Sequence, residues 1–167
     1  MPNLSSKLRE WLRAFLGLHP TATLSGESFY DHLAHRLMYV PRVFGSRERL
    51  HVGEGVVLND ALINTSSGSV TLNDHAFCGH GVSLLTGTHD YHKRSRERQT
   101  TVPEGGRDIV VGKGAWIGSN VTVLGPCVIG EHAVVAAGSV VVSDIEPMSV
   151  YAGVPARKIK TIAPPIT

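Results

Sequence analysis

The chain has only two cysteines in 167 residues, Cys78 and Cys127. So few, so far apart, exclude a disulfide-stapled scaffold and a close metal knuckle. Both lie within apolar repeats and read as buried thiols in a reducing compartment. Aromatic residues make up 6% and charged residues 18%. Neither sign of charge dominates: 16 Lys and Arg oppose 14 Asp and Glu, a net of +2. A dedicated nucleic-acid binder needs a larger basic excess interleaved with aromatics. No run reaches 18 apolar residues, so no spanning helix is expected. Charges interrupt the N-terminal MPNLSSKLREWLRAFLG before a signal-like apolar block can form. No GxGxxG opens a βαβ unit, which leaves a dinucleotide fold unsupported. A cytoplasmic protein is expected, with no nucleic-acid partner and no membrane contact.

What the chain does have is glycine (18 residues), histidine (nine) and 42% hydrophobic residues. At this length a single core can bury roughly two-thirds of the unfolded chain's surface. From residue 111, aliphatic residues recur every six positions: Val111, Ile117, Val123, Ile129, Val135 and Val141. Smaller side chains follow four residues behind the first four, at Ala115, Val121, Cys127 and Ala133, and glycine follows directly at Gly112, Gly118 and Gly130. Neither a helical stripe nor simple strand alternation has a period of six. A three-sided prism does: each unit is a short strand and a corner, three units close an 18-residue coil, and the coils stack in parallel.

The same beat runs earlier through Val52-Gly53, Leu58, Leu72, Cys78-Gly79 and Leu84. It slips by two residues near Thr65-Ser66-Ser67-Gly68, which reads as a turn. It breaks again after Leu84, where TGTHDYHKRSRERQTTVPEGGRD carries no apolar period. A loop this long inside a compact domain is usually functional and should project from the prism. The expected organisation is a helical or irregular segment over 1–48, the prism over 49–144 with its loop at 85–108, and a cap over 145–167. Leu4, Leu8, Trp11, Leu12 and Phe15 line one face of a first helix, whose expected role is packing against the prism or a neighbouring chain. A second helix is expected near Glu27 to Leu37, with Ser25 as its cap. Pro147, Pro155, Pro164 and Pro165 should keep the cap largely irregular.

His89 is the leading chemical candidate. It lies in Thr86-Gly87-Thr88-His89-Asp90, where rigid prism gives way to exposed loop. An imidazole there can take a proton from a hydroxyl or amine attacking an acyl carbon. Asp90 or a backbone carbonyl could orient the ring. Asn59 could position a substrate hydroxyl or serve as a corner residue. Trp116 could form a flat wall for a sugar or a pantetheine arm, or simply pack. Lys93, Arg94, Arg96 and Arg98 form a basic cluster on the loop that could meet an anion or face solvent. His51, His75 and His80 are loosely spaced candidates for zinc between subunits.

The six-residue beat, the interrupting loop with TGTHD, the phrase GAWIGSNVTVLGPCVIGEHAVVAAGSVV and the ending SDIEPMSVYAGVPARKIK together resemble the hexapeptide-repeat acyltransferases. The resemblance is to the galactoside, maltose and nodulation-type O-acetyltransferase branch, with its polysaccharide-modifying relatives. It covers about residues 50–160. It implies an all-β solenoid, a left-handed parallel β-helix with an N-terminal helical segment and a projecting catalytic loop, assembled as a homotrimer. It implies acetyl-CoA as acyl donor, no metal, and a small sugar or glycan as acceptor. By resemblance His89 and Asn59 are catalytic, and Trp116, Ser119, Ala137, Arg157 and Lys160 meet the CoA. The chain departs from the family at Ser143, where a basic residue is usual, and at Glu146-Pro147, where a proline pair is usual. Asp31 is a candidate for the acidic acceptor-binding residue. The expected reaction is acetyl transfer to a sugar hydroxyl. The rivals are N-acyl transfer to an amino sugar, a trimeric zinc hydratase of the carbonic anhydrase type, and a non-catalytic scaffold.

Overall fold

The structure, a computed structural model, describes residues 6–19 and 39–163. The chain divides into residues 1–40 and residues 41–167. In the first unit, α1 spans Ser6–Leu16. The helix expected near Glu27 to Leu37, its cap Ser25, and Asp31 lie outside the described residues.

The larger unit is a prism of three parallel faces. Its first face stacks β1 (Arg42–Phe44), β3 (Leu62–Asn64), β6 (Ser83–Leu85), β9 (Thr122–Leu124) and β12 (Val140–Val141). The second stacks β2 (Leu50–Val52), β4 (Val70–Leu72), β7 (Ile109–Val111) and β10 (Cys127–Ile129). The third stacks β5 (Phe77–Cys78), β8 (Trp116–Ile117), β11 (Val134–Val135) and β13 (Ser149–Ala152), and β14 (Arg157–Thr161) closes it antiparallel.

Register explains the beat. Val111 pairs with Ile129, Ile117 with Val135, and Val123 with Val141, so every third repeat returns to the same face 18 residues on. All six of these side chains are fully buried. Each burial stabilises the prism by about 1.5–3 kcal/mol relative to exposure. Corner glycines allow coils to touch: a Cβ on Gly118 would sit 2.6 Å from the backbone nitrogen of Ala137.

The earlier slips have a definite location. Leu72 pairs with Val111, 39 residues on rather than 18, because the loop adds 21 residues. The smaller slip is two opposed changes. Leu58 to Ile63 is one residue short of six, while Ile63 to Leu72, around the Thr65–Gly68 turn, is three over. The long loop is not wholly irregular, since α2 (Ser95–Thr100) forms within it. The C-terminal residues correct the expectation of an irregular cap. Pro147 and Pro155 fall outside the strands, which leaves β13 and β14 free to pair as a hairpin.

Candidate functional site

The loop begins from a pinned root. The buried Thr86 hydroxyl donates to the Asn64 carbonyl at 2.8 Å and accepts from the Ser67 N–H at 3.2 Å. Arg107, where the loop returns, donates from Nε to the Thr86 carbonyl at 2.9 Å. Arg49 donates from Nη1 to the Glu104 carbonyl at 3.0 Å and lies 3.4 Å from the Ser66 carbonyl, tying the returning loop to the turn beneath it. His89 therefore follows a fixed strand end by only four residues.

An open cleft lies at this corner, lined by Asn64, Ser66, Gly87, Thr88, His89 and Val102. His89 is exposed, and its ring makes no hydrogen bond among the described residues. Asp90 does not orient it: its Oδ1 accepts from the His92 N–H at 3.0 Å, and its own N–H donates to Thr101. The asparagine in the cleft is Asn64. Its Oδ1 accepts from the Ser66 N–H at 2.8 Å, which fixes the amide and leaves Nδ2 as a donor. Gly87 makes room for it, because a Cβ there would fall 2.6 Å from both amide atoms. Asn59 stands at a different corner with φ 48°, and its Nδ2 donates to the Cys78 carbonyl at 2.7 Å.

The basic loop residues are largely occupied with the loop itself. Arg94 caps the carbonyls of His92 and Lys93 at 3.1 Å, Arg98 reaches those of Lys93 and Tyr91, and Lys93 pairs with Glu97 at 2.7 Å. This is a fold-forming use of charge, and it explains how so polar a loop keeps a shape.

The remaining candidates lie along the third face and its exit corner. Trp116 is 47% exposed and stacks on Phe77 with ring centroids 5.7 Å apart. In register, Trp116 is followed across the face by Val134, Val150 and Lys160, three strand spacings or about 14 Å. Arg157 is exposed on the same last strand. Ser119 and Ala137 occupy equivalent corners of successive coils; the Ser119 hydroxyl accepts from the His80 N–H at 3.2 Å. These five residues thus share one side of the prism. His89 stands at another corner, between the first and second faces, so one chain does not bring the two groups together.

The histidine trio disperses. His80 meets Asp60 at 3.2 Å, where the Gly81 amide above all holds the Asp60 carboxyl below its ordinary range. His75 lies over Gly55, and His51 is exposed on β2. Among the described residues no group of three or more His, Cys, Asp or Glu is placed to hold a metal. Cys78 and Cys127 are both buried, and burial pushes both thiols up to about 12. Neither is a ready nucleophile. Sequence reasoning missed Asn64 and Ser66. They precede His89 by one coil, and the enlarged turn between them and β4 obscured that register.

Three stacked parallel faces with 18-residue coils define a left-handed parallel β-helix of hexapeptide repeats. Residues 108–143 match the family Bacterial transferase hexapeptide (six repeats). The chain is 32% identical over 124 residues to the galactoside O-acetyltransferase of Escherichia coli (strain K12), covering 73% of this chain and 59% of that one. It is 33% identical over 138 residues to the "Probable macrolide acetyltransferase" of Lysinibacillus sphaericus, covering 81% of this chain and 69% of that one. A solved galactoside acetyltransferase in complex with coenzyme A superposes with a TM-score of 0.66 at 25% identity, over 93% of this chain and 78% of that one. The chain belongs to the hexapeptide-repeat acetyltransferase family. No described helix is long and apolar enough to cross a membrane.

Proposed function

We propose that the protein transfers an acetyl group from acetyl-CoA to a hydroxyl of a sugar or polysaccharide precursor, with His89 as general base. The observation that carries this reading is an exposed imidazole with no hydrogen bond among the described residues, four residues beyond a pinned strand end, sharing a cleft with a fixed amide donor. The donor's requirements fit the third face. Exposed Arg157 and Lys160 offer cations for phosphates at one end, and the Trp116–Phe77 stack offers a flat apolar surface at the other. Ser119 and Ala137 line the exit corner alongside.

Acetyl-CoA supplies the acyl group as a thioester. His89 removes the proton from the acceptor hydroxyl as its oxygen attacks the thioester carbonyl. Asn64 Nδ2, a donor that lines the cleft with His89, stabilises the developing oxyanion. As the C–S bond breaks, protonated His89 returns the proton to the thiolate, which leaves as CoA. Asn59, engaged with the Cys78 carbonyl, supports the corner, and the positioning role expected of it passes to Asn64. A homotrimer accounts for the separation of the two groups, because a neighbour's third face can meet this chain's His89 corner. The donor and the two free thiols support a cytoplasmic setting.

The test is CoA release from acetyl-CoA across a panel of sugar and nucleotide-sugar acceptors, with His89→Ala beside wild type. Acceptor-dependent release that disappears in His89→Ala, while acetyl-CoA still binds, supports the reading. Absence of acetyl-CoA binding at millimolar concentration overturns it.

A further inference from the structure

The root of the loop holds one bond that the stacked faces do not supply. Asn64 pairs with Leu85, so Thr65 and Thr86 come next at the corner, and the Thr86 N–H donates to the Asn64 carbonyl at 3.0 Å as a parallel ladder requires. A continuing ladder would bring the Ser66 N–H to the Thr86 carbonyl. The Asn64 side chain takes that N–H instead, through Oδ1 at 2.8 Å. Thr86 is fully buried, where an unpaired carbonyl is costly. The carbonyl accepts from Arg107 Nε at 2.9 Å. Fixing the Asn64 amide thus removes one donor from the ladder, and Arg107 replaces it.

The backbone around Arg107 sets the direction of its side chain. Its N–H donates to the Ser67 carbonyl at 3.2 Å, and the next residue, Asp108, accepts from the Ser69 N–H at 2.7 Å. Glycines on both sides let the neighbouring coils close on it. A Cβ on Gly68 would lie 2.6 Å from the Arg107 carbonyl carbon, and one on Gly125 would overlap its carbonyl oxygen. The guanidinium is half-buried and makes no ion pair among the described residues. We infer that Arg107 is a positioning residue for the acyl transfer proposed above. It holds the Thr86–Gly87 peptide, and through it keeps His89, three residues beyond Thr86, in the cleft with Asn64. The inference rests on the reading of His89 as base. It needs no contact between Arg107 and substrate, because the bond acts through the backbone.

The test compares two uncharged variants of the full chain that differ in one donor. Arg107→Gln keeps an N–H at the same number of bonds from Cα as the arginine Nε, and Arg107→Met puts a methyl group there. In Arg107→Met, kcat should fall about tenfold or more, with KM for acetyl-CoA and the melting temperature little changed. Arg107→Gln should keep kcat within about threefold of wild type. Hydrogen–deuterium exchange across Thr86–Asp90 should run about tenfold faster in Arg107→Met and near the wild-type rate in Arg107→Gln. Equal losses in the two variants overturn the inference, since charge or bulk would then matter instead of the bond. So does wild-type kcat or wild-type exchange in Arg107→Met. A loss of kcat matched by a global fall in melting temperature also overturns it, by placing Arg107 in the scaffold alone. Exchange reads no acyl transfer. A wild type that releases no CoA, beside faster exchange in Arg107→Met, would sink the proposed function and leave the tether standing.

Discussion

The two halves of the prism differ in how tightly the chain turns the same corner. Between the first and second faces, Val123 reaches Ile129 in six residues, the tight repeat of the C-terminal coils. At the equivalent corner of earlier coils, Val43 reaches Val52 in nine, Ile63 reaches Leu72 in nine, and Leu84 reaches Val111 in 27. The additions are stacked on one edge. Of their residues, Asn64, Ser66 and His89 line the cleft, and Arg49 ties the returning loop to the turn beneath it. The strict coils supply rigidity, and the cleft that holds the proposed base opens where extra residues relax the beat without disturbing the inward aliphatics.

The sharpest break of this comparison comes from His89→Ala. Removing a general base costs about 10²–10⁴-fold, and a loss near 10³-fold in kcat is expected here. Because the exposed ring makes no hydrogen bond among the described residues, the melting temperature should not move. A matching fall in stability would show that His89 belongs to the scaffold rather than to the chemistry.

Core truncation separates the halves in the opposite sense. Ile117 is fully buried between strands on both sides, so Ile117→Ala should cost about 3 kcal/mol. Leu58, partly buried on the irregular first coil, should cost about half as much as Leu58→Ala. Urea unfolding of both variants measures this. Equal losses would mean that the irregular coils are as tightly packed as the strict ones.

The two asparagines distinguish a corner from a cleft. Asn59→Ala removes a hydrogen bond to the Cys78 carbonyl and should lower stability by about 1 kcal/mol, with kcat retained. Asn64→Ala should lower kcat by about tenfold or more with KM for acetyl-CoA little changed. Steady-state kinetics paired with melting curves reads both. A reversal of the two phenotypes would return the positioning role to Asn59.

The prism was legible because its physics is periodic. A core one side chain wide requires an aliphatic every sixth residue, and Val111 to Val141 state that without interruption. His89 was legible for a local reason: a histidine at the junction of strand and polar loop. Asn64 was not. Its partnership with His89 depends on register across a coil whose corners are one residue short and three over, changes that nearly cancel when counted from Leu58 to Leu72. The hairpin of β13 and β14 was hidden by prolines that lie in its flanks and its turn. Arg49 and Arg107 were hidden because their partners are backbone carbonyls, which carry no sequence signature.

The smallest effect expected concerns how the strict coils end. There the hairpin is fastened by Lys158 and Glu146, with the Tyr151 hydroxyl also reaching Glu146 at 3.5 Å. The hydrogen bond and charge of Lys158 hold the Glu146 carboxyl below its ordinary value, while Glu146 holds Lys158 above its own. The sign follows from linkage. A carboxyl whose folded value is depressed binds its proton more weakly than in the unfolded chain, so its contribution is full above the ordinary glutamate value and fades as pH falls through the lowered one. Glu146→Gln should therefore melt slightly below wild type near neutrality and converge with it in acid. Both groups are exposed and screened by solvent, so the gap should also close with added salt. A gap that persists unchanged in acid would locate the fastening in the packing of Val150 and Tyr151 instead of in the ion pair.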